Sequence, residues 1–133
     1  MNMKRIKSLL LGVLAVALIA GCSTRVARNV NSDINGAFVM PQVEKAIIDS
    51  GRAQHWEMKK MRDGLIIGKL VTDDSLAEIR IPYTLANYSI EYVGSQNLNS
   101  GTDKVPSGYN DWVSDLNKEI QNRLLAQQQL YNK

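Results

Sequence analysis

Thiols and imidazoles are nearly absent from this 133-residue chain, which has one cysteine, Cys22, and one histidine, His55. A lone cysteine excludes an intrachain disulfide and a multi-thiolate metal site. With one histidine, a serine nucleophile would have a single imidazole to serve as its base, and a metal site would fall to carboxylates. The sequence has no phosphate-binding glycine loop, no EF-hand spacing and no zinc signature. Its closest acid groupings, Asp73-Asp74 and Asp111 with Asp115, fit simpler roles. Asp suits hairpin turns through local hydrogen bonds, and acids in the first turns of a helix complement its dipole. His55 reads as a surface residue at the start of a strand. The sequence therefore predicts no catalytic residue, no metal and no cofactor.

Long apolar runs are scarce as well. The aliphatic stretch Ser8 to Ala20 is shorter than the roughly 20 residues of a membrane-spanning helix. It follows Lys4, Arg5 and Lys7 with no acid among them, the order of a secretory signal: a basic n-region, then an apolar h-region. The run closes on Leu18-Ile19-Ala20-Gly21-Cys22, which resembles the bacterial lipobox. The resemblance implies cleavage between Gly21 and Cys22, a diacylglycerol on the Cys22 sulfur and acylation of the new amino group. One acyl chain binds a bilayer only marginally, at about 0.8 kcal/mol per buried methylene, whereas two or more anchor stably. Ser23 rather than Asp follows the cysteine, which in such lipoproteins implies sorting to the outer membrane, with the periplasmic face as default.

Charge also changes with cleavage. Of sixteen Lys and Arg, three leave with the signal, and the thirteen that remain meet thirteen acids, so the basic balance belongs to the precursor. A neutral domain offers at most Lys59-Lys60-Arg62 as a basic cluster, too little for a nucleic-acid footprint. The remaining length suits one domain with one core.

We divide the chain into a signal (1–21), a lipidated N-terminus with a flexible tether (22–37), a globular domain (38–125) and a frayed tail (126–133), with a short edge strand over Arg25 to Val30 as the alternative reading within the tether. In the domain, Val43, Ala46, Ile47 and Ser50 form the apolar stripe of a helix over 41–53, with Pro41 in the first turn and Gly51 as a C-cap candidate. From His55 to Val93 the period switches to two. A turn at Arg62-Asp63-Gly64 sets Met58 opposite Gly68, and one at Asp73-Asp74 sets Leu70 opposite Ala77 and Lys69 opposite Glu78. A turn at Leu85-Ala86 sets Ile79 opposite Tyr92 and Arg80 opposite Glu91. Each hairpin thus carries apolar pairs on one face and charge pairs on the other. Pro82 predicts a bulge or a missing ladder bond near its end of the sheet. After a polar loop, Tyr109, Trp112, Val113, Leu116, Ile120 and Leu124 mark a second helix ending near Leu125. The expected fold is α+β: a four-stranded antiparallel meander with two helices packed on one face, in the order α-β-β-β-β-α.

The motifs Gly51-Arg52 before Trp56, Ile79-Arg80-Ile81-Pro82-Tyr83, Tyr88-Ser89-Ile90-Glu91-Tyr92, Ser95-Gln96-Asn97-Leu98 and Tyr109-Asn110-Asp111-Trp112 resemble a group of small uncharacterised bacterial outer-membrane lipoproteins. The resemblance implies the same architecture and address and brings no catalytic residue. Val105-Pro106-Ser107-Gly108 departs from the group, where a histidine would precede the Tyr-Asn pair.

Two functional expectations follow. The first is a non-catalytic, membrane-anchored module that binds another envelope protein through a helix face or sheet edge. The second is a lipoprotein that holds a lipid or cell-wall fragment between sheet and helices. The candidate ligand or partner surface is Trp56, Tyr92, Asn97, Tyr109 and Trp112, because Tyr and Trp join an apolar body to a polar tip. Core packing is the competing role for these aromatics.

Overall fold

The structure is a computed structural model that describes residues 27–97 and 105–131. The signal, Cys22 and the loop 98–104 lie outside the described residues. The elements in chain order are β1 (Val30–Asp33), α1 (Met40–Ala53), β2 (Glu57–Arg62), β3 (Leu65–Val71), β4 (Ser75–Pro82), β5 (Asn87–Asn97) and α2 (Tyr109–Tyr131). The α+β class holds, but the antiparallel sheet has five strands, in the order β1-β5-β4-β3-β2, instead of four.

The added strand lies in the stretch read as tether, and its polar sequence explains why it escapes a hydropathy reading. β1 pairs with β5 at the sheet edge, Val30 opposite Ile90 and Ser32 opposite Tyr88. Its only aliphatic residue, Val30, packs on the core; Ser32 instead donates to Asn117 Oδ1 at 2.8 Å, while Asn31 Oδ1 accepts from Ser89 on the outer face at 2.6 Å. The strand is thus held by side-chain hydrogen bonds more than by apolar area.

Register elsewhere follows the charge and apolar pairing. Met58 faces Gly68, Leu70 faces Ala77, Lys69 faces Glu78, Ile79 faces Tyr92 and Arg80 faces Glu91. Pro82 is accommodated opposite Leu65 without a register shift between β3 and β4. Towards β5, however, the ladder stops at Arg80–Glu91 and resumes only as an isolated Tyr83–Tyr88 bridge, the gap expected where proline has no N–H to donate. Register shifts fall elsewhere: between Lys60 and Arg62 on β2, before Gly64 at φ 85°, and on β5, where Val93 is inserted between the Ile79–Tyr92 and Glu78–Gly94 pairs. The second bulge puts Tyr92 and Ser95 on one face, where their hydroxyls share a hydrogen bond.

Inner-face residues Ile66, Leu70, Ala77, Ile79, Ile81 and Ile90 form a single core with Val43, Ala46 and Ile47 of α1 and Val113, Leu116, Ile120 and Leu124 of α2. Phe38, just before α1, joins it. The second helix runs to Tyr131 instead of fraying after Leu125. Gln127 Nε2 donates to Gln42 O of α1 at 3.2 Å and the Gln128 amide lies against Gly36, so the glutamine run packs on neighbouring chain.

The first helix starts with the Val39 N–H donating to Gln42 Oε1 at 2.9 Å. It ends in a Schellman motif in which Trp56 N–H donates to Gly51 O at 2.8 Å and His55 N–H to Arg52 O at 3.0 Å. The left-handed residue is His55, at φ 71°, and not Gly51. Gly51 is instead a contact glycine inside the helix. A Cβ there would lie 2.3 Å from Met58 Sδ, and one at Gly68 would lie 3.0 Å from the same sulfur. Met58 is therefore wedged between helix and sheet, where only hydrogen fits on either side.

Two stability effects should follow. Gly51→Ala should cost about 1–3 kcal/mol in urea unfolding, and the cost should shrink in a Met58→Ala background, where the colliding side chain is gone. His55→Gly should stabilise by about 0.5–1 kcal/mol, because glycine occupies the left-handed C′ position without a Cβ penalty.

Candidate functional site

The five residues expected to form a recognition surface separate in the structure. Trp56 is 3% exposed and Tyr109 fully buried, so both are core residues and leave the candidate surface. Their burial follows from position: Trp56 is the C″ residue that closes α1, and Tyr109 opens α2 over the sheet. Tyr92 is half-buried and stands edge-on to Tyr109, with ring centroids 5.1 Å apart at 78°. Asn97 ends β5 opposite Ser75. Trp112 is half-buried and lines a depression of about 290 Å³ with Asp74, Ser75, Val105, Pro106, Ser107 and Gly108. Trp112 and the backbone of Asn97 thus lie at one end of the sheet, Tyr92 lies on the inner face, and the described apolar side chains between sheet and helices pack into one core.

Two polar clusters that no sequence motif announces lie across the inner layer. In the first, Tyr88 Oη donates to Asn117 Oδ1 and accepts from Gln121 Nε2 at 2.8 Å, and Ser32 donates to the same Asn117 oxygen. Burial pushes the Tyr88 phenol up, so it stays a neutral donor. This cluster ties β1 and β5 to the middle of α2.

In the second, Tyr83 Oη donates to Glu44 Oε2 at 2.7 Å, and Lys60 Nζ lies 3.0 Å from that oxygen and 2.9 Å from Asp63 Oδ1. The hydrogen bond from Tyr83 and then that from Lys60 hold the Glu44 carboxyl below its usual value. Burial and the Glu44 contact push Tyr83 up to about 12. Asp63 and then Glu44 raise Lys60. Near neutral pH the group is a carboxylate, a phenol and an ammonium, each moved away from the range in which a general acid or base exchanges protons. Its chemistry is that of a clasp joining α1 to β2, to the turn between β2 and β3 and to the chain just past β4. Glu44 and Lys60 are 16 residues apart and Tyr83 lies 39 residues beyond Glu44, so sequence spacing carries no signal for it.

His55 is exposed at the helix terminus. Asp74 accepts from Thr72 Oγ1 and Ser75 Oγ, each at 3.1 Å, within its own turn. Among the described residues, no group of three or more His, Cys, Asp or Glu is placed to hold a metal ion. Ser50 Oγ and Tyr109 Oη are buried with no hydrogen-bond partner among the described residues. The outer sheet face carries a shallow groove of about 640 Å³ lined by Glu57, Met58, Lys59, Met61, Ile67, Lys69 and Glu78. Its open shape and mixed charge make it a contact surface with no group aimed at one reacting atom.

In comparisons with known proteins, no family model and no curated sequence matches the chain.

The Glu44 clasp has a definite pH signature. Its folded-state pKa lies below the ordinary value of 4.5, so its stabilisation is complete above that value and fades as pH falls through the lowered one. Glu44→Gln should therefore be destabilising at neutral pH, and its deficit relative to wild type in urea midpoints should narrow steadily below about pH 4.5.

Proposed function

We propose that this chain is a lipid-anchored bacterial envelope protein whose folded domain is a non-catalytic module for binding another envelope protein. Residues 1–21 act as its signal, and Cys22 carries the diacylglycerol and the N-acyl chain that hold it at the outer membrane, facing the periplasm. The observation that carries the address is the basic, aliphatic, Leu18-Ile19-Ala20-Gly21-Cys22 order of the N-terminus. The closed layer between sheet and helices supports the module reading. With Trp56, Tyr83, Tyr88 and Tyr109 all buried in the core, a lipid tail or glycan strand would have to displace packed side chains to enter. Recognition then falls to outward surfaces, which are the usual seat of protein contacts.

A small-ligand reading keeps one foothold, the Trp112 depression, where a half-buried indole stands beside Asp74 and Ser75. Its volume, about 290 Å³, stands at the lower end of the range usual for small-molecule sites, roughly 300–1,000 Å³.

The test compares the wild type with Cys22→Ser in intact cells by metabolic fatty-acid labelling and crosslinking. Wild type should incorporate label and pellet with membranes, and Cys22→Ser should do neither. One dominant envelope protein should crosslink to the wild type and be lost without the lipid. Equal membrane association of the two proteins would overturn the anchor, and efficient crosslinking with no captured protein would overturn the module.

A further inference from the structure

The ordered fold begins much closer to Cys22 than a flexible tether through residue 37 would place it. Ala27 and Val30 pack on the core, Arg28 N–H donates to Asn110 Oδ1 at 2.9 Å, and Asn29 Oδ1 accepts from Tyr92 N–H at 3.1 Å. Only Ser23 to Val26 stand between Cys22 and Ala27. A fully extended chain advances at most about 3.6 Å per residue, so the five steps from Cys22 to Ala27 span no more than about 18 Å. β5 alone, with 11 residues, is about 36 Å long at 3.3 Å per residue. The anchor can therefore reach one end of the domain and not the other.

The end it reaches follows from register. β1 runs antiparallel to β5 from the Asp33–Asn87 pair to the Val30–Ile90 pair, so the chain before Val30 leads towards Tyr92 and Val93. The same end of the sheet holds the Val71–Leu76 and Leu76–Gln96 pairs. On the outer face there, Val71 is 57% and Val93 48% exposed, and Leu76 is half-buried. Further along that face the outward residues are charged and paired, Lys69 with Glu78 and Arg80 with Glu91. The face thus changes from ion pairs to aliphatic side chains on approaching the tether.

We infer that this corner of the outer sheet face, formed by Val71, Leu76 and Val93, docks on the surface of the bilayer that holds Cys22. The inference rests on the lipid anchor proposed above. The short connection confines the domain next to the bilayer, at a high effective concentration, so a contact too weak to hold a free domain is populated in the tethered one. The acidic turn Asp73-Asp74 lies just beyond Val71 and works against anionic headgroups, so the contact draws on apolar burial alone. Docking there turns the other end of the sheet, with the Leu85-Ala86 turn, the Asp63-Gly64 turn and the exposed Val39, away from the membrane.

The test uses the full lipidated chain, in which Cys22 is blocked by its lipid and an introduced thiol is the only one open to labelling. Val71→Cys, Val93→Cys and Leu85→Cys each receive an environment-sensitive fluorophore. Each protein is then placed in vesicles of phosphatidylethanolamine with a minority of phosphatidylglycerol, with or without a spin-labelled lipid as quencher. Mass spectrometry of the N-terminal peptide reads the Cys22 lipid independently. Quenching should be several-fold stronger at positions 71 and 93 than at 85, should persist at high salt, and should fall at position 71 when Val93→Glu is added. Lipid on Cys22 with equal quenching at all three positions, or stronger quenching at 85, would overturn the docking and leave the anchor standing. An unmodified Cys22 would remove the anchor and the docking together.

Discussion

The apolar side chains of the sheet, from Val30 on one edge to Met58 near the other, share one face, and among the described residues two helices, with Ile34 and Phe38 from the chain before the first, cover it. The constraint acts at close range where α1 meets β2, because Met58 fits only with glycine at 51 on the helix and at 68 on the neighbouring strand. That approach fixes the height of α1 above the sheet. It also fixes where α1 must stop, since Gly51 offers its carbonyl to Trp56 in the turn that leads into β2. Burial of Trp56 and the left-handed conformation of His55 follow from the same turn. The conformational penalty at His55 accompanies a packed indole.

Polar contacts finish what apolar packing begins. The Ser32, Tyr88, Asn117 and Gln121 cluster binds the first strand to the last helix, and the Glu44, Lys60, Tyr83 and Asp63 cluster binds the first helix to two turns of the sheet. Both bring together side chains distant in sequence, 85 residues from Ser32 to Asn117 and 39 from Glu44 to Tyr83. Each clamps elements that the meander by itself leaves unconnected. Their titration behaviour, with a depressed carboxyl and elevated phenols, is that of groups held in one protonation state, which suits a scaffold.

Three hairpin registers and both helices were legible because period, turn residues and charge complementarity agreed at each position. Lys69 with Glu78 and Arg80 with Glu91 are cases where a one-residue slip would have put like with unlike environments. β1 was only partly legible: an edge strand over Arg25 to Val30 stood as the alternative to a tether, but the paired segment is Val30–Asp33, whose sequence Val-Asn-Ser-Asp has no alternation in hydropathy and whose inner position is taken by a serine with its partner 85 residues away. The tail of α2 was hidden for the same reason, since the glutamines that hold it read as solvated. Among the candidate recognition residues, Trp56 and Tyr109 show that an aromatic beside a turn carries no sequence mark distinguishing a core from a rim. The burial comes from what crosses above it.

Among the described residues, the first strand pairs only with the last, across 60 residues between Val30 and Ile90. It can enter the sheet only after the meander that precedes β5 in sequence is available to receive it. Order of synthesis and order of assembly are therefore opposed at this edge: the segment nearest Cys22 leaves the ribosome early and finds its hydrogen-bond partners late. In that interval residues 30–33 have no strand to pair with, and this edge of the sheet can close only once β5 has been made.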